Sequence, residues 1–177
     1  MDKNRLTYRG KPKNKEDFEL CKKLCPNNVD NSFVYGTLSK DNQNRVFICL
    51  YTILTSNFTC NNGVSTLIEI LPETVGQCTE MTEDTDTMIF EHDILEYNGD
   101  LYLVSYIQGG FVCTEAHDKK PTHFRTLNAM VNFRDPEEVV KVVGNKFDNP
   151  ELVDRRLMVN QILEKIEIMK KLRNVQK

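Results

Sequence analysis

The chain is 177 residues long, carries a formal net charge of −3 and is 28% charged. A chain of this length buries roughly 70% of its unfolded surface, so we expect one domain with a substantial core. The small net charge excludes bulk electrostatic attraction as the main source of nucleic-acid binding, although a local basic patch can still contribute.

The apolar stretches and the six cysteines bear on the cellular compartment. No stretch approaches the ~20 apolar residues of a membrane span, and residues 1–15 lack the apolar region of a signal peptide. We therefore expect a cytoplasmic protein without membrane contact. Cysteines in such a protein stay reduced, and we expect structural thiols at Cys21, Cys25, Cys49, Cys60, Cys78 and Cys113.

The first predicted elements are a short strand over residues 5–9 and an amphipathic helix after it. Asn14 is a residue type that caps helix N-termini, and Pro26 ends the helix because proline cannot continue it. We expect a short helix or helical insertion between them. Its apolar face carries Phe18, Cys21 and Cys25.

Two apolar stretches then predict strands over residues 32–40 and 45–54, the second of them buried because it is rich in β-branched and aromatic residues. Asn62-Gly63 supplies the two positive φ angles of a type I′ turn, so residues 65–71 are predicted to return as the next strand. Residues 73–90 are polar and rich in turn formers, and we expect turns there.

The strongest hairpin signal lies in IFEHDILEYNGDLYLV, residues 89–104. Alternating apolar residues flank Asn98-Gly99, a pair typical of the two-residue type I′ turn. Gly109-Gly110 predicts a second turn before a strand over residues 111–116. These signals together predict a three-stranded antiparallel meander.

Residues 117–134 are ambiguous, whereas the β-branched residues of 137–147 predict one more strand. The elements together predict a mainly β fold of the α+β class. It comprises an antiparallel meander or partly open barrel of short strands, a short N-terminal helical insertion and a long C-terminal amphipathic helix. The expected organisation is a β domain over residues 1–149, followed by a packing or oligomerisation helix over residues 150–177.

Asn149 and Pro150 predict the start of that helix, with Asn149 accepting backbone N–H groups and Pro150 at the first helical position. From there the apolar period changes from two to about three and a half residues, as in a helical seam. The seam either packs on the β domain or pairs with a second copy, and we favour a homo-oligomer. The predicted oligomerisation residues are Leu152, Val159, Ile162, Leu163, Ile166 and Met169.

Five motifs occur in the order typical of one protein family. They are TYRGK (7–11), FVYGTL (33–38), PETVGQCT (72–79), IFEHDILEYNG (89–99) and VVGNKFDNPELV (142–153). With these motifs the chain resembles the YopX-like proteins of phages and prophages over almost its whole length. The resemblance implies a mostly β fold with a terminal helix, in a protein carried by mobile phage genomes. It implies no established chemistry, so no functional residue is transferred from it.

The chain departs from the family pattern at three positions. Cys78 stands where the family usually has tyrosine, and Glu80 and His92 stand where it has glycine. The segment over residues 13–31 is also longer than usual. A glycine position can demand backbone angles that other residues resist, so the turn geometry at Glu80 and His92 is in question.

Glu91, His92 and Asp93 are three adjacent titratable residues and therefore a candidate catalytic cluster. On a single strand Glu91 and Asp93 share one face and His92 lies on the other. Acid–base catalysis needs such groups to converge, which adjacent strand residues do not do by themselves. We therefore expect the two carboxylates on the face opposite the core, His92 on the core side, and no catalytic residue.

Cys21, Cys25, His117 and His123 offer the atoms of a mixed zinc site. Their spacing differs from that of structural zinc motifs, in which cysteine and histidine pairs have short fixed separations. A cysteine–histidine nucleophile pair stays open as an alternative, because such partners meet only in space. We expect no metal and no cofactor.

The preferred functional prediction is a non-catalytic protein-interaction module that forms a homo-oligomer through its terminal helix. Its cellular partner would be a host or antiviral-defence protein, an inference from the phage context of the family. The alternative is a small nucleic-acid-binding or regulatory protein that uses a basic N-terminal run. The contacts in that alternative are Arg5, Arg9, Lys11, Lys13 and Lys15.

Overall fold

The computed structural model describes residues 8–53, 63–117 and 124–154. The chain divides into two compact units, Met1–Glu80 and Met81–Lys177, called here the N-terminal and C-terminal units. Chain length alone predicted one domain, and the division falls in the stretch 73–90, where turns were expected. A boundary at residue 149 stays a prediction, since the residues after Asp154 lie outside the described ranges.

In the ranges that the structure describes, the N-terminal unit is an antiparallel sheet with one α-helix. Its elements are β1 (Tyr8–Gly10), α1 (Lys15–Leu24), β2 (Val29–Asp30), β3 (Phe33–Lys40), β4 (Val46–Ile53), β5 (Gly63–Glu69) and β6 (Gly76–Thr82), whose last two residues belong to the C-terminal unit. The strands pair in the order β5-β4-β3-β1-β6, and β2 pairs with β3. The antiparallel pairing confirms the predicted mainly β class.

Helix α1 lies where the sequence predicted a helix, and it buries Cys21 in the core of the N-terminal unit. Asn14 does occupy the N-cap position, but it makes no side-chain capping bond. Its Nδ2 donates instead to Oδ2 of Asp17 at 3.2 Å, so the predicted capping contact is wrong. The buried core around the helix consists of Cys21, Cys25, Val34, Val46, Ile48, Leu50, Ile68 and Ile70.

The connection between β4 and β5 differs from the predicted tight turn. Gly63 pairs with Ile53 as the first residue of β5, so it belongs to the ladder and does not form the centre of a two-residue turn. Residues 54–62 therefore connect the two strands and lie outside the described ranges. The strand expected over 65–71 is present as β5, with its start two residues earlier.

The C-terminal unit contains a five-stranded antiparallel sheet and a short helix. Its elements are β7 (Met88–Phe90), β8 (Asp93–Tyr97), β9 (Asp100–Ile107), β10 (Gly110–Glu115), β11 (Phe124–Thr126), α2 (Leu127–Asn132) and β12 (Val140–Asn145). The sheet order is β11-β10-β9-β8-β12. The central β8-β9-β10 run confirms the predicted meander, and β11 and β12 form its edges. Leu127 and Met130 of α2 pack in the core of this unit with Val104 and Val140.

The two turns of the meander are both two-residue turns with positive φ angles. Asn98 and Gly99 have φ values of 54° and 83°, which confirms the predicted type I′ geometry. The second turn is one residue earlier than predicted: Gln108 and Gly109 have φ values of 50° and 87°, and Gly110 already pairs with Ile107.

Strand β12 is shorter than the predicted strand and is irregular. It covers Val140–Asn145 of the expected 137–147, and its register against β8 shifts between Val142 and Gly144. Asn149 folds back onto this shift, where its Oδ1 accepts a hydrogen bond from the amide of Asn145 at 3.3 Å. Gly144 permits this approach, because a Cβ there would collide with the Asn149 side chain.

The start of the predicted terminal helix is described only in part. Asn149 makes no helix-capping bond, so the predicted cap is wrong, and its oxygen is used by the Asn145 amide instead. Pro150 does occupy the first position of a helical turn, the 3₁₀ turn Pro150–Leu152. The long helix predicted beyond it lies outside the described residues.

Candidate functional site

The stretch Glu91–Asp93 forms a turn between two strands rather than the start of one strand. β7 ends at Phe90 and β8 begins at Asp93, which is only 2% exposed. Oδ2 of Asp93 accepts a hydrogen bond from the Phe90 amide at 2.8 Å and so closes the turn. The prediction that both carboxylates lie opposite the core is therefore wrong for Asp93, because the chain turns at Glu91 and His92 and breaks the strand alternation.

His92 has a φ of +75°, and Glu80 has a φ of +61°. Left-handed backbone of this kind costs a residue with a side chain more than it costs glycine. The question raised for these two positions is therefore answered: both have the backbone geometry that glycine accommodates best.

His92 lies beside Lys146, a residue that the sequence analysis did not single out. The two backbones are joined by a hydrogen bond from the Lys146 amide to the His92 carbonyl at 3.0 Å. Nζ of Lys146 lies 3.5 Å from Nε2 of His92, and the Phe147 ring meets the imidazole edge-on with centroids 5.3 Å apart. This contact depends on the pairing of β8 with β12, two strands that are distant in the sequence. Neither a histidine nor a lysine indicates such a pairing by its residue type.

The surroundings of Lys146 oppose its protonation. Burial lowers the pKa of the Lys146 amine, while the nearby Glu91 carboxylate acts in the opposite direction. Glu91 also accepts a hydrogen bond from the Tyr106 amide at 3.4 Å. The predicted cluster of Glu91, His92 and Asp93 is thus divided: Asp93 closes the turn, while His92 associates with Lys146.

A second feature of the C-terminal unit is a cleft of about 360 Å³ beside α2, called here the α2 cleft. Its lining residues are Tyr97, Arg125, Thr126, Ala129, Met130, Phe133, Arg134, Asp135 and Glu138. Phe133 follows the end of α2 and is 78% exposed, although it is fully apolar. Nothing in the sequence pattern marked this residue, because it lies in the segment 117–134 that the pattern left ambiguous.

The wall of the α2 cleft is held by the carboxylate of Glu138. Tyr97 donates its hydroxyl to Oε2, the Asn98 amide group donates to Oε1 at 2.8 Å, and the Asp135 backbone donates to Oε2 at 3.2 Å. The Tyr97 hydrogen bond, followed by that of Asn98, lowers the pKa of Glu138. The same hydrogen bond raises the pKa of Tyr97. These bonds fix the position of the segment that carries Phe133.

The two arginines of the α2 cleft have different surroundings. Arg134 donates to the backbone carbonyls of Val131 and Glu138 and pairs with Asp84, so its guanidinium is engaged in the fold. The Arg125 guanidinium lies 5.6 Å from the centre of the Tyr97 ring, and its side chain is exposed. The cleft therefore combines an exposed aromatic ring with an exposed cation.

The described cysteines are free thiols, as predicted, and burial makes several of them poor nucleophiles. Burial raises the pKa of Cys113 to about 12. Burial, with Cys25 next, raises the pKa of Cys21 to about 11. These two groups are protonated at neutral pH. Cys60 lies outside the described residues.

The four candidate zinc ligands weighed in the sequence analysis are not seen as a site: in the described ranges no group of three metal-ligating side chains occurs. Cys21 and Cys25 lie in the core cluster of the N-terminal unit. His123 lies outside the described residues, so neither a zinc site nor a cysteine–histidine pair that includes it is described.

The residues of the predicted basic N-terminal run have different surroundings where the structure describes them. Arg9 is 6% exposed, and its guanidinium lies 4.6 Å from the centre of the Phe33 ring, so it packs inside the N-terminal unit. Lys13 pairs with Glu69 at 2.7 Å. Lys15 is exposed at the start of α1, and Arg5 lies outside the described residues. Nucleic-acid contact by this run stays a prediction.

The predicted oligomerisation residues are almost all outside the described part of the chain. Leu152 is half-buried in the turn Pro150–Leu152. The other five, Val159, Ile162, Leu163, Ile166 and Met169, lie outside the described ranges.

Among the described residues, no helix is long and apolar enough to span a membrane.

Comparison with known proteins adds no assignment. No protein-family model matches the chain, and no curated protein is similar to it.

Proposed function

We propose that the chain is a phage- or prophage-type accessory protein that acts as a non-catalytic protein-interaction module in the host cytoplasm. The observation that carries this proposal is the α2 cleft, which is lined by Phe133, 78% exposed, and by the exposed Arg125. Aromatic and arginine side chains are the residue types that contribute most energy at protein interfaces.

The YopX-like resemblance supports the phage setting of this proposal. Relatives of that type have glycine where this chain has Glu80 and His92, and both positions have positive φ angles. A backbone geometry that glycine accommodates best agrees with a family fold in which glycine is usual at those two positions. The partner is accordingly proposed to be a host or antiviral-defence protein.

The proposal also includes self-association through residues 150–177. The support is the seven-residue apolar spacing of Leu152, Val159 and Ile166, which is typical of a helical seam. Removing residues 149–177 tests this part by light scattering: the mass of the remaining chain should fall to that of a monomer. An oligomer of unchanged number would contradict the helix-mediated assembly.

The arrangement of titratable groups supports a binding role over catalysis. Asp93 is committed to the turn, Arg134 and Glu138 are committed to the wall of the α2 cleft, and Cys113 is a protonated thiol. These groups hold structure and do not present an acid–base pair to the cleft.

Affinity capture from infected or lysogenic cells tests the interaction proposal. The wild-type chain should retain a host protein that the Phe133→Ala variant loses. Phe124→Ala is the matched control, because Phe124 is also exposed, at 61%, and does not line the cleft. Equal capture by wild-type and Phe133→Ala proteins would remove the α2 cleft from the proposal.

The nucleic-acid alternative has its own test. A gel-shift assay with random DNA and RNA at low salt should show no binding under the interaction proposal. Binding that weakens steeply with salt would favour the alternative instead.

A further inference from the structure

The contact between His92 and Lys146 is built by the sheet rather than by two flexible surface side chains. The Lys146 amide donates to the His92 carbonyl at 3.0 Å, and the His92 amide donates to the Val104 carbonyl at 2.9 Å. His92 is therefore held at its backbone from both neighbouring strands, through Val104 of β9 and through Lys146 directly after β12. The left-handed φ of His92 then sets the direction in which its side chain extends from the backbone.

The side chains around the amine form a half-enclosed niche. Nζ of Lys146 lies 3.5 Å from Nε2 of His92 and 4.9 Å from the centre of the Phe147 ring. Phe147 in turn packs edge-on against the imidazole. Lys146 is only half-buried, so its side chain keeps part of its surface open to solvent.

We propose that Lys146 is a nucleophilic amine that captures small aldehydes as imines, with Nε2 of His92 accepting the proton that the amine loses. This covalent capture is independent of the α2 cleft and of the proposed interaction function. A lysine performs such chemistry when its amine is partly desolvated and a base lies within reach.

The charges around the amine favour its neutral form. Two cations at 3.5 Å repel each other, so a protonated imidazole and a protonated amine do not share this niche at low cost. Burial lowers the pKa of Lys146 further, and the Glu91 carboxylate opposes that effect. The contact of Nζ with Nε2 places the imidazole where it can take a proton from nitrogen.

The capture step balances without an oxidant or a reductant. The lone pair of Nζ attacks the aldehyde carbon, and the second carbon–oxygen bond breaks toward oxygen. The positively charged Nζ gives one proton to Nε2 of His92, which passes it to that oxygen and so forms a hydroxyl group. Nζ then gives its second proton to Nε2 in the same way, and the imidazole passes it to the hydroxyl group. The hydroxyl then leaves as water while the carbon–nitrogen double bond forms. The products are one imine and one water molecule.

Competitive labelling of the full-length chain tests the proposal. Limiting propanal with sodium cyanoborohydride traps each imine as a secondary amine, which peptide mass spectrometry quantifies for every lysine from pH 6 to 9. Lys146 should be alkylated about threefold or more faster than Lys141, an exposed lysine on β12, at pH 7. The excess should shrink as pH rises, because exposed amines then lose their protons too.

Two variants separate the role of His92 from a general effect on folding. His92→Gly fits the positive φ and removes the imidazole, and His92→Asn keeps a polar side chain that tolerates this backbone but is no base. Both should reduce the Lys146 rate to that of Lys141 and leave the Lys141 rate nearly unchanged. The urea midpoint should not fall for His92→Gly, in which glycine relieves the positive φ. Equal rates for Lys146 and Lys141 in the wild type would overturn the proposal. A Lys146 rate that both variants leave unchanged would overturn the role of His92.

Discussion

The Phe90 amide donates a hydrogen bond to Oδ2 of Asp93 at 2.8 Å, and both residues are buried. This bond turns the chain between β7 and β8 and so separates the three adjacent titratable residues of the sequence. Asp93→Ala leaves the buried Phe90 amide without this acceptor, and we expect a loss of about 2 kcal/mol in the free energy of unfolding.

Urea denaturation measures this loss. Glu96→Ala is the control, because Glu96 is exposed on the same strand, and its change should stay within about 0.5 kcal/mol of zero. Equal effects of the two substitutions would show that Asp93 does not stabilise the turn.

Glu80 provides a prediction from backbone strain alone. Its φ is +61° and its side chain is exposed. Glu80→Gly should raise the free energy of unfolding by about 1 kcal/mol, because glycine adopts this backbone without steric cost. Glu80→Ala keeps the Cβ and should change the stability little. Thermal unfolding of the two variants distinguishes them, and a destabilised Glu80→Gly protein would refute the strain argument.

Glu83 predicts how stability depends on acid. Burial alone would raise the pKa of Glu83, but hydrogen bonds from Thr85 and Thr87 outweigh it and lower the pKa below its ordinary value. A carboxyl group with a lowered folded-state pKa contributes stability above its unfolded pKa, about 4.3. That contribution to stability is lost as the pH falls through the pKa of Glu83 in the folded state.

The urea midpoint of the wild type should therefore fall as pH drops below about 4.3. Glu83→Gln should already be less stable at pH 7 by about 1 kcal/mol and should show a weaker acid dependence. Identical pH profiles for the two proteins would rule out this contribution of Glu83.

Cys113 should resist thiol reagents in the folded protein. Its pKa is raised to about 12 by burial, and it is almost fully enclosed. Iodoacetamide at pH 8 should alkylate the half-buried Cys49 before Cys113, and urea should remove the difference. Mass spectrometry of the alkylated peptides gives the order. Early alkylation of native Cys113 would contradict its burial.

The sequence predicted those features that local chemistry determines. Asn98-Gly99 needs only its own two φ preferences, and the meander around it follows from alternation. The second turn was misplaced by one residue, because Gln108 adopts a positive φ that its residue type seldom takes. The prediction of a tight turn at Asn62-Gly63 was wrong, because β4 and β5 pair as far as Ile53 and Gly63.

The sites depend on contacts between distant segments, and for that reason the sequence did not predict them. Lys146 meets His92 only because β12 pairs with β8 after a register shift. Glu138 lines the same cleft as Phe133 and bonds to Asn98, about 40 residues earlier in the chain. A one-dimensional pattern carries neither the pairing nor the register.

Binding of the host protein recovered by affinity capture to the wild-type, Phe133→Ala and Phe124→Ala proteins tests the central claim most directly. Calorimetric titration should show that Phe133→Ala weakens the affinity about tenfold or more, as for an aromatic residue central to an interface, while Phe124→Ala binds as the wild type does. If the Phe133→Ala protein binds the host protein as tightly as the wild type does, this chain is not an interaction module that binds through the α2 cleft.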